Sequence, residues 1–185
     1  MKQINYPNGS SFDTTVTQSL PTSKGMNLEA MIETSNKYYY NHHLAWVVKY
    51  PTPIQVIKTT SHNHITDGYF KTPSCCDYIG FIDGSCFVFE AKVTQSLQRF
   101  YFNQIAPHQL QHLSDALSYG ASAFIIVYFQ KLNKSYYLDA REVLASIQIN
   151  RKSYTIEQFN QSNCLIEFKS IQCPLDYLSL LQLRR

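Results

Sequence analysis

The sequence predicts an α/β protein, a mixed central sheet flanked by helices, and three observations carry that prediction. Element types alternate: a helical segment comes first, a group of short β segments follows, and helix and strand patterns then trade places to the end. The apolar run ASAFIIVYF (121–129) has the length and β-branched content of a buried strand. Asp83-Gly84, set between CDYIGFI (76–82) and SCFVFEAK (85–92), is the clearest hairpin signal, because Asp-Gly suits the type I′ turn that joins twisted strands.

Taken in order, residues 1–24 are rich in Ser, Thr, Asn and Pro without periodicity and read as a flexible arm, with one domain over 25–185. Asn27 can cap a helix running to about Tyr40, with Leu28, Met31, Ile32, Ser35 and Tyr39 on one face. LAWVVKY (44–50) reads as a strand, broken by Pro51 and Pro53. Two extended arms around a polar middle predict a protruding hairpin over about 54–71. After the Asp83-Gly84 hairpin, residues 93–106 read as a loop. A helix follows over 106–120, with Pro107 in its first turn and Gly120 just past its end. The strands ASAFIIVYF and SYYLDA (135–140) and short helices in REVLAS (141–146) and at the C-terminus complete the pattern.

Composition limits what this fold can do. The chain has 185 residues, a size that suits one core, with 44% hydrophobic residues to fill it. Its 14 Tyr and 11 Phe suit an aromatic core or an amphipathic contact surface. A net charge of +3 is too small to signal nucleic-acid binding without local clustering. No apolar run reaches the about 18 residues of a membrane helix. The N-terminus lacks the apolar region of a secretory signal. Five cysteines, an odd number with no CxxC pair, fit free thiols in a reduced, cytoplasmic protein.

FVFEAKV (87–93) raises the chemical question, because it ends a hydrophobic strand with Glu90 and Lys92 on one face. Asp77 and Glu90 are equidistant from the Asp83-Gly84 turn, so they oppose each other across the hairpin. Opposed like charges are destabilising, and a divalent cation would compensate them. Hard oxygen donors suit Mg²⁺, and Lys92 could stabilise charge on a phosphate. An Asp followed by Glu-x-Lys on the next strand recurs in metal-dependent nucleases. The hairpin alone fits equally an ion pair that caps an exposed strand end. His108 and His112 have a spacing that can hold zinc, but no third ligand accompanies them. Arg151-Lys152 and Arg184-Arg185 could meet a phosphate backbone or lie free in solvent.

Further motifs settle the context. YPNG (6–9), GMNLE (25–29), SNKYY (35–39), PTPIQ (51–55), YFK (69–71), DYIG (77–80), FEAK (89–92), HQLQH (108–112) and LDYLSLL (175–181) fall in the order of one family. With them the chain resembles the RecU-type Holliday junction resolvases over nearly its whole length. The resemblance implies a restriction-endonuclease-like fold whose hairpin is a stalk entering the junction. It implies a homodimer that resolves four-way DNA junctions by paired symmetric nicks, leaving 5′-phosphate and 3′-hydroxyl ends. Recombination, repair and chromosome segregation would be the setting, and a RecA-type recombinase a partner.

The same resemblance assigns Mg²⁺, with Mn²⁺ as a substitute, to Asp77, Glu90 and Gln109, and to position 75, where Cys75 replaces a threonine. It makes Lys92 the charge-stabilising lysine and puts Glu29 near the metal. DNA contacts fall to Lys24, where the family has arginine, and to Lys58 and Lys71 of the hairpin. Sulfur is a poor Mg²⁺ ligand, so metal affinity would weaken if position 75 ligates through its side chain and change little if a water bridges it, while lysine puts a point charge in place of a fork on phosphate. A junction-binding or strand-bridging accessory protein that does not cut is the alternative.

Overall fold

The computed structural model describes residues 27–62, 64–70 and 75–183, so the N-terminal arm, Lys24, Lys71 and Arg184-Arg185 lie outside the described residues. Helix α1 (Leu28–Asn41) starts where its cap predicts: the Asn27 Oδ1 accepts a hydrogen bond from the Ala30 N–H at 2.7 Å. Its buried residues include Leu28, Met31, Ile32, Ser35 and Tyr39, the predicted face. Strands β1 (Trp46–Lys49), β4 (Tyr78–Ile82), β5 (Ser85–Thr94), β7 (Ser122–Phe129), β8 (Lys134–Asp139) and β10 (Leu165–Ile166) form one sheet in the order β1-β4-β5-β7-β8-β10. Only β5 and β7 pair in parallel; the other neighbours are antiparallel, so the sheet is mixed as predicted. Strands β2 (Ile54–Thr59) and β3 (Ile65–Phe70) pair with each other alone, as the protruding hairpin.

Alternation along the central strands splits the core in two. Phe87 and Phe89 of β5 and Phe124 and Ile126 of β7 face α1 and helix α5 (Tyr177–Leu183). Val88, Ile125, Val127 and Phe129 face the other way, toward α2 (Pro107–Ser118), α3 (Ala140–Gln148) and α4 (Ile156–Gln161). Rings of Tyr78, Phe89, Phe124 and Tyr137 stack across four strands, with centroids 4.5–4.9 Å apart. This stack is where the aromatic residues are spent, and it leaves Glu90, one step beyond Phe89, on the α2 face.

The turn is a type I′ turn, with φ of 50° at Asp83 and 74° at Gly84. Residues 93–106 are more structured than a loop. β5 continues to Thr94, and β6 (Arg99–Tyr101) pairs with β9 (Ser153–Thr155) before a short 3₁₀ turn. Strands of three residues offer too few alternations for the pattern to show, which also hides β9 and β10.

Candidate active site

The register of the central hairpin sets the site. Tyr78 pairs with Phe89, so the next rung beyond the ladder brings Asp77 beside Glu90. Asp77 is fixed from both sides: its Oδ2 accepts from the Ala91 N–H at 2.9 Å, and its carbonyl accepts from the Tyr50 N–H at 2.8 Å. Glu90 is fully buried. Burial first, and then the Asp77 carboxylate, push its carboxyl up to about 8 against the opposing pull of Lys92.

Helix α2 closes the site from above. Its N-cap is Ala106, which has no side-chain acceptor, so Gln109 folds back and its Oε1 accepts from the Ala106 N–H at 3.0 Å. The same Oε1 accepts from the Lys92 Nζ at 2.7 Å, while the Gln109 Nε2 donates to Glu90 Oε2. Lys92 Nζ stands 3.7 Å from Glu90 Oε2 and keeps partial contact with solvent. Asp77, Glu90, Lys92 and Gln109 are therefore one connected group, and Pro107 at the first helical position aims the glutamine into it.

One atom in this group has no partner. Glu90 Oε1 is buried and receives no hydrogen bond. A buried acceptor left unpaired costs about 1–3 kcal/mol, more for a charged group. An oxygen that is orphaned, anionic when ionised and set beside a second carboxylate fits a hard divalent cation. The donor set suits a hard divalent cation.

The remaining predicted residues sit around this centre in different ways. Glu29 lies in the first turn of α1 and pairs with Lys49, and both line a groove that Asp77 also lines. The Glu29 carboxylate holds the Lys49 ammonium above its ordinary value. The sequence reading passed over Lys49; its signal was a lysine ending an apolar strand just before a proline. Cys75 is half-buried, packs against the second core and stands 3.7 Å from the Cys76 sulfur. Among the described residues no three His, Cys, Asp or Glu side chains converge as a metal-binding group. Gln109 already accepts two hydrogen bonds at its oxygen and works here as a clasp. Lys58 is exposed on β2, facing Asp67 across the hairpin. His108 is exposed, and its ring centre lies 6.2 Å from that of His112.

Fold and site together define a class: an α/β protein with a carboxylate pair, one of them fully buried, a lysine and a glutamine gathered at the end of a central hairpin. The model of the recombination protein U (RecU) family matches residues 23–183, and the chain belongs to that family. Two relatives named Holliday junction resolvase RecU come from Bacillus cytotoxicus and Streptococcus agalactiae. The first is 31% identical over 195 residues, covering 97% of both chains. The second is 30% identical over 190 residues, covering 97% of this chain and 95% of the relative. Among solved structures, Archaeoglobus fulgidus Hjc, a Holliday junction resolvase from an archaeal hyperthermophile, overlays on 72% of this chain and 92% of its own, with a TM-score of 0.42 and 11% identity.

Proposed function

We propose that this chain is a Holliday junction resolvase, an endonuclease that cuts four-way DNA crossovers during recombination and repair. The observation that carries the reading is the joined group of Asp77, Glu90, Lys92 and Gln109 with its orphaned, buried Glu90 oxygen. Family membership and full-length relatives of that name support it. Mg²⁺, or Mn²⁺ in its place, is the cofactor. Four-way DNA is the substrate, and a homodimer in the cytoplasm, working beside a RecA-type recombinase, is the working form.

Asp77 and Glu90 hold the cation. Bound there, a divalent cation would supply charge neutralisation at the scissile phosphate and activation of the attacking water. The Ala91 N–H keeps Asp77 in place, and the sheet behind Glu90 keeps bulk water from its buried oxygen. Lys92, steered by Gln109, presents an ammonium that offsets negative charge on the phosphate in the transition state. Glu29 and Lys49 flank the groove through which a strand reaches Asp77. Lys24, Lys58 and Lys71 supply phosphate contacts, Lys58 from the hairpin that enters the branch point. Two sites related by a two-fold axis match the symmetry of the junction and give paired nicks with 5′-phosphate and 3′-hydroxyl ends.

The test incubates the protein with a labelled four-way junction or a matching linear duplex, in Mg²⁺, Mn²⁺ or EDTA. Symmetric nicks in the junction alone, lost in EDTA, are the expected result. Tight junction binding with no cutting in either metal overturns the nuclease reading in favour of the non-cutting accessory protein, and makes Cys75→Thr the next variant.

A further inference from the structure

Beyond the carboxylate group, the described surface carries a groove that combines two cations with apolar residues and no carboxylate. It lies between the start of α2 and the end of α3. Ile105 and Leu110 contribute apolar lining, beside Tyr101 and Asn103 and the cations Arg151 and Lys152. No acidic residue lines it. Tyr101 is exposed although it belongs to a strand, and both cations are exposed. Among the described residues neither cation has a carboxylate partner. The lining segments are rigidly joined, because the Phe102 N–H donates to the Lys152 carbonyl at 2.9 Å and Tyr101 pairs with Ser153 in the β6–β9 ladder.

The groove is coupled to the candidate active site by the chain itself. Ile105 and Leu110 bracket residues 106–109, the segment in which the Ala106 N–H holds the Gln109 amide that bonds Lys92 and Glu90. A strand whose phosphate sits at Lys92 and that continues over the N-terminus of α2 therefore meets this groove next. Its chemistry matches a nucleotide. Two free cations attract phosphate, the Tyr101 ring offers a stacking face, the Asn103 amide can bond a base edge, and the apolar lining accepts a deoxyribose.

We infer that the Tyr101–Arg151–Lys152 groove is a second DNA-binding site, which grips a nucleotide of the strand flanking the scissile phosphate by stacking and charge. The inference rests on the resolvase reading and deepens it. The site holds substrate without touching the reacting atoms, so its loss weakens binding and leaves the cutting step intact.

The experiment measures affinity for a labelled four-way junction across a salt series, with single-turnover cleavage at saturating protein. It compares wild type, Tyr101→Ala, Arg151→Ala/Lys152→Ala and a control, Lys37→Ala/Lys169→Ala. The control removes the same charge from the opposite face of the sheet, where Lys169 lies over the Tyr38 ring of α1. Arg151→Ala/Lys152→Ala should weaken binding about tenfold near physiological salt and reduce the slope of log affinity against log salt by about 1.8, the value for two lost phosphate contacts. Tyr101→Ala should weaken binding about fivefold or more with an unchanged slope. The cleavage rate at saturation should stay within about twofold of wild type. Unchanged affinity in both groove variants overturns the inference, and so do equal losses in the groove and control pairs, which would reflect net charge alone. Wild-type protein that ignores branched DNA overturns the resolvase reading, and this inference with it.

Discussion

At the scale of single residues, Glu90 controls both chemistry and stability. Without metal the folded chain keeps its proton to about pH 8, whereas the unfolded chain releases it near the ordinary 4.5. Between these values the folded state binds more protons, so stability falls as pH rises. This contribution is fully present below 4.5 and lost as pH passes 8. In EDTA, wild type should therefore lose several degrees of thermal midpoint between mildly acidic and mildly alkaline buffer, and Glu90→Gln should show a flatter profile. Parallel profiles for the two proteins would show that Glu90 ionises normally. The same variant, and Asp77→Asn, should cut junctions at least about a thousandfold more slowly while binding them within a few fold of wild type. Gln109 acts through others. Gln109→Ala strips Lys92 and Glu90 of their shared partner and uncaps Ala106, so it should cost about 1–3 kcal/mol in denaturant unfolding. A loss of cleavage of about tenfold or more should accompany it, and full activity in this variant would remove the clasp from the mechanism.

Elements explain why the site holds its shape. In the central hairpin, two glycines are needed for different reasons, and the difference is measurable. A Cβ at Gly80 would lie 2.4 Å from the Phe87 ring, so Gly80→Ala should cost about 2 kcal/mol by overpacking. Phe87→Leu in the same chain should recover part of that loss. Gly84 faces open space but sits at φ +74°, so Gly84→Ala should cost about 1 kcal/mol, untouched by Phe87→Leu. Rescue of both glycine variants, or of neither, would contradict this division. The β2–β3 hairpin is the opposite case. Its described side chains are exposed, and among the described residues its strands pair only with each other. Its amides should exchange with deuterium by local opening, long before those of β7, which is buried in all but its first residue. Equal protection of the two would mean that the hairpin is covered by something in solution.

Over the whole molecule, the sheet is an asymmetric device: one face packs the aromatic stack against α1 and α5, the other carries the carboxylates under α2. A junction has two scissile strands, so the active particle should be a dimer, and sedimentation should report twice the chain mass at cutting concentrations. Nicking confined to one strand by a stable monomer would break that expectation. How much of this was readable beforehand follows from range. The helix cap at Asn27, the Asp83-Gly84 turn, the buried strand at 121–129 and the opposition of Asp77 and Glu90 are local or near-local patterns, and the residues alone determined them. The same strand pattern put Lys92 on the face of Glu90, and the family motifs extended the reading to Gln109. Three things were decided only by tertiary structure: the unpaired Glu90 oxygen, the Lys49–Glu29 pair at the groove, and the facing of Tyr101 with Arg151 and Lys152. Each depends on chain segments brought together by packing against a shared sheet. No periodicity encodes such a meeting, because burial and partner choice are settled by the whole fold rather than by neighbours in sequence.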